Sequence, residues 1–481
     1  MGTYFLNPEL AYQEALQQKR TGLHNDLQIC YYNGEPLNSD LPNLINLPLE
    51  HIYGFMSETD YRMIRVFRIE EGSDPEFDNK IISYIDVSQK KAILKKAEFK
   101  ELFKQEVRKI KLDFSEPLRI FFITTRATTV LQHCAKSLRE AFIDMGYETF
   151  LSIEHNDMQS WGMDQDDNDF VWHLKNMLDF KPHITINIDY LHNDFLPDEM
   201  FNFVWFQDMM PIFDNNGHVK TRERDFIFHL TTGLGDLLSK LDIRSEYQSF
   251  LMNTKNYKQR EEIKKEKKIV FIGSSYNHHI DEMRSYHLFD EIFKEMIEIF
   301  EEKNHLPDKD IKYLMAKYHR PSEYFGEINR YITRDYCVEK LCKINTGKYK
   351  VEVYGAGWEH NKHVMQWHKG VVEYGEDISK IYNSATYGYC VGGYVLMQRT
   401  LESAFSGTIP LVLDVRVGGE DTYDKRIEKG IQFFNIKDLE KILTSGVEEE
   451  KDFSFIQQEY GYEKFANKII DIVHKELSCK K

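Results

Sequence analysis

The sequence predicts an α/β protein in which two doubly wound domains with parallel sheets follow one another behind an N-terminal accessory region. Three observations predict it. After Pro117 the run LRIFFITT reads as a buried strand, followed by the helical RATTVLQHCAKSLREAFIDMG and a second strand, YETFLSI. The pattern restarts at Lys268 with KIVFIGSSY, an apolar strand that runs into a Gly-Ser loop. Between 385 and 416 come a strand, Gly392-Gly393, a helix from about Met397 to Phe405, Gly407, and the strand Ile409 to Leu413. Strand, glycine, helix, glycine, strand is a crossover unit, which needs a parallel sheet. A chain of 481 residues is also too long for one core.

Residues 1–116 form the accessory region. QEALQQKR is helical and polar, NGEPLNSDLPNLINLPLE is a Pro- and Asn-rich passage, and YRMIRVFRIEEG and NKIISYIDV alternate like strands. The charged amphipathic KKAILKKAEFKELFKQEVRKIKL closes the region. A small α/β or β module that recognises an acceptor or partner fits these elements. Residues 117–250 form the first domain, with a helix near VWHLKNMLDF and strands HITINID, NFVWFQD and DFIFHLT. The polar stretch MNTKNYKQREEIKKEKK reads as an interdomain linker. The second domain occupies 264–481. It holds a long helix DEMRSYHLFDEIFKEMIEIFEEK, a helical insertion at about 308–346, strand YKVEVYGAGW and a short strand GVVEYG. The helix EDISKIYNSA and the crossover unit follow, then strand GIQFFN, helix IKDLEKILTSG and a closing helix from about Phe455 to Leu477.

Composition excludes several classes. No window approaches 18 consecutive apolar residues, so no membrane-spanning helix is expected. The start of the chain lacks a basic segment followed by an apolar one, which excludes a secretory signal, and Leu6 disfavours myristoylation. Cys30, Cys134, Cys337, Cys342, Cys390 and Cys479 are scattered without a CxxC pair, which argues against a zinc site or disulfide framework and fits a reducing cytoplasm. The net charge of −16 disfavours nonspecific nucleic-acid or membrane-surface binding, without excluding a local basic groove.

In open α/β sheets, ligands bind outside the carboxyl ends of strands, so two successive domains are expected to frame a cleft. The loop TTRATT carries neither GxGxxG nor a Walker pattern, which rules out a standard dinucleotide or P-loop site there. In the second domain, Gly273-Ser274-Ser275 reads either as an ordinary turn or as small residues whose N–H groups cradle a phosphate. Val372-Glu373-Tyr374 reads either as a plain strand end or as a backbone edge receiving a base. Arg399 and Glu402, three apart on one helix face, read either as a surface ion pair or as a phosphate-binding arginine with a ribose-binding carboxylate. The joint occurrence in this order is more specific than any one piece.

The run GVVEYGEDISKIYNSATYGYCV with RTLESAFSGTIPLVLD resembles the donor-binding domain of GT-B glycosyltransferases, most closely the CgeB-like (spore-maturation-protein type) group with its R-x-x-E-x-x-x-x-G pattern, here Arg399, Glu402 and Gly407. KIVFIGSSY resembles that group's opening of its second domain, and FVWFQDMMP its aromatic–Asp–Pro strand end. The resemblance covers about 265–445 well and 118–240 fairly, and is absent over 1–116. It implies a nucleotide-sugar donor with its ribose on Glu402, its diphosphate on Arg399, and its base flanked by Tyr374 and its neighbours. It implies no cofactor and no bound metal. Asp164-Gln165-Asp166 matches DxD literally but sits in a polar run. Retaining family 4 enzymes carry a second glutamate eight positions before the ribose-binding one. Here that position is Tyr394, which leaves the stereochemical outcome open. An inverting reaction needs a general base from the first domain. Asp208, which ends an apolar strand and reads equally as a capping or loop aspartate, is the first choice, with Asp189 next, and His192 and Asp194 as further candidates. His278-His279 reads as either a phosphate contact or a solvated pair.

The acceptor is unreadable: glycan, protein or lipid hydroxyl. LESAFSGTIPLV also resembles the phage α-glucosyltransferases that act on modified cytosine, which keeps a nucleic-acid acceptor as an alternative that the net charge disfavours. A non-catalytic nucleotide-sugar-binding protein and an epimerase of the same fold are the remaining alternatives.

Overall fold

The computed structural model describes residues 2–5, 8–21, 28–31, 41, 44–48, 51–57, 64–68, 75–125, 129–153, 170–213, 219–281, 283–344, 347–416, 424–445 and 451–479. The chain divides into two compact units, Met1–Phe228 and His229–Lys481. Asp164-Gln165-Asp166, residues 126–128 of the TTRATT loop and most of the Pro- and Asn-rich passage lie outside the described residues.

The N-terminal region is an α/β module. Strands β1 (Gly2–Phe5), β2 (Gln28–Tyr31), β3 (Leu44–Asn46) and β4 (Ile64–Arg68) form a sheet in the order β3-β2-β1-β4. All its pairings are parallel. NKIISYIDV is not a strand: it belongs to the helix Pro75–Arg108. Its buried positions Ile85, Ser88 and Ala92 recur every three or four residues, the helical period, which outweighs its β-branched content. Val107 and Phe103 at the far end of this helix pack with Phe121, Phe170 and Leu174.

The second sheet contains β5 (Arg119–Thr124), β6 (Glu148–Ile153), β7 (Ile184–Ile188), β8 (Phe201–Phe206), β9 (Asp225–His229) and β10 (Ser245–Tyr247), in the order β10-β9-β8-β7-β5-β6. The pairings among β5, β6, β7 and β8 are parallel. Every residue of β7 and β8 is buried, as a parallel strand covered on both faces requires. The third sheet contains β11 (Glu266–Ile272), β12 (Lys350–Tyr354), β13 (Ala385–Cys390), β14 (Ile409–Leu413) and β15 (Gln432–Phe434). It is parallel throughout, in the order β12-β11-β13-β14-β15. Chain direction across the sheet reverses between β5 and β7 in one case and between β11 and β13 in the other. Such a switch point opens a crevice at the strands' carboxyl ends.

Four expectations within the second unit are corrected. The long helix is interrupted: Asn277–Asp281 and a tight turn Met283–Ser285 precede the helix Phe289–Lys303, and Arg284 folds back to donate to Asn277 Oδ1 at 3.1 Å. GVVEYG forms no strand. Only a two-residue bridge links the preceding chain to β12, and Val371 is left 76% exposed. The closing helix is two, Ser454–Glu459 and Tyr462–Cys479, because Tyr460 O and Tyr462 N turn outward to bond the backbone of Met252. The polar linker is no linker: it lies bound to the second unit, with Tyr257 fully buried. The helical insertion is present as Asp308–Tyr318, Ser322–Tyr331 and Cys337–Lys343, the last two joined through a π-helical turn, Ile332–Tyr336.

The loops after β11 and β12 press together. Gly355 has φ +132°, and a Cβ there would lie 2.3 Å from Gly273 O. Gly355→Ala is therefore expected to destabilise the second unit by about 2–4 kcal/mol through strain and backbone collision. Urea unfolding of the two proteins measures this, and an unchanged midpoint would show that the two loops are free to separate.

Candidate functional site

The third sheet's switch point is flanked by the loop after β11 and by the helix after β13. In the first, Gly273 N donates to Tyr354 O and Ser275 N to Ala356 O, each at 2.9 Å. Tyr276 N donates to Asp335 Oδ1 at 2.9 Å, and Asn277 N to Ser275 Oγ at 3.1 Å. Trp358 Nε1 donates to Gly273 O at 2.6 Å. Of the three residues expected to form an amide cradle, Gly273 and Ser275 thus give their N–H groups to the loop after β12. Asp335 Oδ2 also accepts from Ser275 Oγ at 2.5 Å. Burial pushes the Asp335 carboxyl up to about 6 against the pull of these bonds.

The second flank is the helix Gln398–Phe405, whose first turn carries Arg399. Arg399 Nη1 donates to Glu402 Oε2, and Tyr257 Oη donates to Glu402 Oε1 at 3.1 Å. Glu402 has no exposed surface, whereas the Arg399 side chain is 32% exposed. Burial raises the Glu402 carboxyl, opposed by Arg399 and by the Tyr257 hydroxyl. Burial also works against the Arg399 charge, but the adjacent carboxylate outweighs it and raises the guanidinium's pKa. The Tyr257 phenol is pushed far up by burial and then by Glu402. Tyr257 meets Tyr374 edge to face, with ring centroids 6.0 Å apart, and Gln398 Nε2 donates to Tyr374 Oη at 2.7 Å.

The structure thus brings Tyr374, Arg399 and Glu402 together and adds Tyr257 and Gln398, which sequence reasoning missed. Val372 is half-buried against the core. Gly407 stands apart, past the far end of the helix, where Lys265 Nζ donates to its carbonyl and Gln259 occupies the space of a Cβ. Tyr394 is 42% exposed. His279 Nδ1 lies 3.0 Å from Glu327 Oε2, with the His278 ring 4.0 Å from its own.

In the first unit, Asp189 follows β7 at the other switch point, with φ +64°. Its Oδ1 accepts from Gln207 N at 2.6 Å and from Asp208 N at 3.1 Å. The two candidate carboxylates are therefore neighbours, Asp189 buried and Asp208 exposed. Burial raises the Asp189 carboxyl to about 7, although both amide bonds pull it down. His192 stacks on Tyr190 with centroids 5.2 Å apart, and Asp194 is paired with Lys104 at 2.6 Å. Among the described residues no group of three His, Cys, Asp or Glu side chains is placed to hold a metal ion, and no helix is long and apolar enough to cross a membrane.

No protein-family model and no curated protein sequence matches the chain. Solved structures with a partial likeness include AviGT4, a glycosyltransferase involved in avilamycin A biosynthesis (10% identity, TM-score 0.42, 75% of this chain and 98% of that one). Anabaena Alr3699/HepE in complex with UDP-glucose is another (6% identity, TM-score 0.43, 74% and 100%). WaaG, a glycosyltransferase involved in lipopolysaccharide biosynthesis, is a third (9% identity, TM-score 0.41, 74% and 95%). These superpositions are loose, and nothing about this chain's activity follows from them.

Two outcomes are expected. Glu402→Gln leaves the partly buried Arg399 without its counter-charge and should cost about 2–3 kcal/mol. Tyr257→Phe, which removes one bond to that carboxylate, should cost about 1–2 kcal/mol. Both are read from urea midpoints, and a Tyr257→Phe protein as stable as wild type would mean that the hydroxyl contributes nothing. The second outcome concerns pH. The Asp189 carboxyl titrates near 3.8 when unperturbed and about 7 in the fold. The folded state then holds the extra proton between those values, so this group favours folding most at low pH and progressively less as pH rises from about 4 to about 7. The stability of Asp189→Asn relative to wild type should therefore climb across that window and level off above it. A flat difference would contradict burial as the dominant influence.

Proposed function

We propose that the chain is a GT-B-type glycosyltransferase that moves a sugar from a nucleoside-diphosphate sugar to an acceptor hydroxyl. The observation that carries this reading is the Arg399–Glu402 pair in the first turns of the helix at the switch point of the second unit, with two tyrosines beside it. A guanidinium at a helix N-terminus suits a diphosphate, since helix dipole and side chain favour the same charge. Nucleotide-sugar chemistry develops negative charge on the departing diphosphate, and a cation fixed before the reaction stabilises it without reorganising. Glu402 holds Arg399 in place. Its use as a ribose ligand requires the Tyr257 hydroxyl to yield Oε1. Tyr374, whose ring lies beside Tyr257, is the candidate wall for the base.

An inverting displacement needs a base that takes the hydroxyl proton as the sugar transfers. Asp208 is the exposed member of the carboxylate pair and is assigned that role, while Asp189 holds the Asp208 backbone. The free thiols of Cys134, Cys337, Cys342, Cys390 and Cys479 support a reducing, cytoplasmic setting.

A thermal-shift screen against nucleoside diphosphates and their sugar conjugates tests the proposal. At least one should raise the melting temperature in proportion to the logarithm of its concentration. Arg399→Met should abolish that shift. Asp208→Asn should keep it while slowing transfer by about 100-fold or more. If no nucleotide shifts wild type and none of the donors releases its diphosphate, the enzyme reading fails and a different small anion becomes the ligand to seek.

A further inference from the structure

The switch point of the second unit has a second guanidinium, and it comes from the inserted helices rather than from the sheet's own crossover. The insertion runs from Asp308 to Lys343, and its π-helical turn at Ile332–Tyr336 carries Arg334 and Asp335 toward the loop after β11. A turn of this wider kind displaces side chains from helical register and is common at functional sites. Both oxygens of Asp335 are occupied, by Ser275 Oγ and Tyr276 N. Arg334 is left with a carbonyl and a ring: Nη1 donates to Ser274 O at 3.2 Å, and the guanidinium lies 3.9 Å from the Tyr276 ring centroid. Among the described residues no carboxylate hydrogen-bonds to Arg334.

β11 and β13 are adjacent parallel strands, so the loop that Arg334 contacts and the helix that bears Arg399 emerge side by side. Burial lowers the Arg334 pKa, partly offset by Tyr276 and Asp335, and the Arg399 charge lowers it further, so the two cations feel one another. Of the two guanidiniums, each with five donors, only Arg399 hydrogen-bonds a carboxylate, that of Glu402. An anion placed between two such cations relieves their repulsion, and planar guanidinium forks suit phosphoryl oxygens.

We propose that Arg334 is a second phosphate ligand of the same site, so that Arg399 and Arg334 each take one phosphoryl group and the insertion sets a preference for nucleoside diphosphates over nucleoside monophosphates. The inference rests on the donor reading above. It gives the helical insertion a role: it carries a specificity-determining cation, held in place by Asp335 gripping Ser275 and Tyr276.

Binding of UDP, GDP and ADP and of the matching monophosphates, measured by calorimetry for wild type, Arg334→Met and Arg334→Lys, tests it. Wild type should bind its preferred diphosphate more tightly than the monophosphate. Arg334→Met should weaken diphosphate binding by roughly tenfold or more while changing the monophosphate by less than about threefold, which erases the preference. Arg334→Lys, which keeps the charge but loses the fork, should fall between, and it gives the same reading if the methionine protein does not fold. Equal loss for both nucleotides, or no loss for either, overturns the role of Arg334 while leaving the donor reading intact. If wild type binds none of the six nucleotides, the donor reading falls and this inference falls with it.

Discussion

Glu402 carries its carboxylate where no solvent reaches it, and the organisation of the second unit follows from how that position is compensated. An unpaired buried charge costs several kcal/mol, so partners have to be supplied from within the fold. One comes from the same helix: Arg399, three residues earlier, reaches Oε2. The other comes from 145 residues earlier in sequence, the hydroxyl of Tyr257. For Tyr257 to be there, the segment from Met252 to Lys265 has to be tied down. Arg260 N donates to Asn383 Oδ1 at 2.7 Å and Asn383 Nδ2 to Lys258 O at 2.9 Å. Met252 pairs with the backbone of Tyr460 and Tyr462, and Lys265 reaches the Gly407 carbonyl. One polar strap thus grips the helix Gln398–Phe405 at its middle and just beyond its end.

The strap shows where sequence reading runs out. The strands of both larger sheets were legible except the polar edge strand β10, because a parallel strand covered on both faces is a short apolar run that little else imitates. The spacing of Arg399 and Glu402 was legible for the same reason: a helix puts i and i+3 on one face. MNTKNYKQREEIKKEKK carries no periodicity and mostly charged or amide side chains, so it reads as solvated chain. Its attachment comes from backbone groups, from Tyr257 and from scattered polar side chains such as Thr254 and Lys265, none of which leaves a pattern. GVVEYG misled in the opposite direction: the chain bonds the outer edge of β12 only as far as Lys369 N and Gly370 O and then leaves it. NKIISYIDV misled because its isoleucines favour strands locally, whereas the buried spacing of Ile85, Ser88 and Ala92 extends over a longer helix.

The two larger sheets solve a common problem in the same way. Each has a buried aspartate near its switch point that binds backbone amides at the sheet's carboxyl edge. Asp189 takes Gln207 N and Asp208 N, and Asp335 takes Tyr276 N together with the Ser275 hydroxyl. Burial lifts both carboxyls, Asp189 to about 7 and Asp335 to about 6. A carboxylate that accepts several N–H bonds fixes a loop without needing a second charge nearby, at the cost of a pKa within reach of neutral pH.

That solution bears on what the edges can bind. In glycine-rich phosphate loops the amides point outward, and the ligand completes their hydrogen bonding. Here Gly273, Ser275, Tyr276 and Asn277 spend their amides inside the protein. An anion at this crevice would draw less on those four amides than on side-chain cations such as the guanidinium of Arg399, one-third exposed on a helix's first turn. The absence of GxGxxG and Walker spacing from the chain is therefore physically consistent with an anion site. The glycines that remain serve packing instead. Gly355 lets two loops approach to van der Waals limits, and Gly407 leaves room for Gln259 of the strap. The guanidinium of Arg399 and the small residues around it sit on separate elements, and the buried carboxylates of Glu402 and Asp335 tie those elements together.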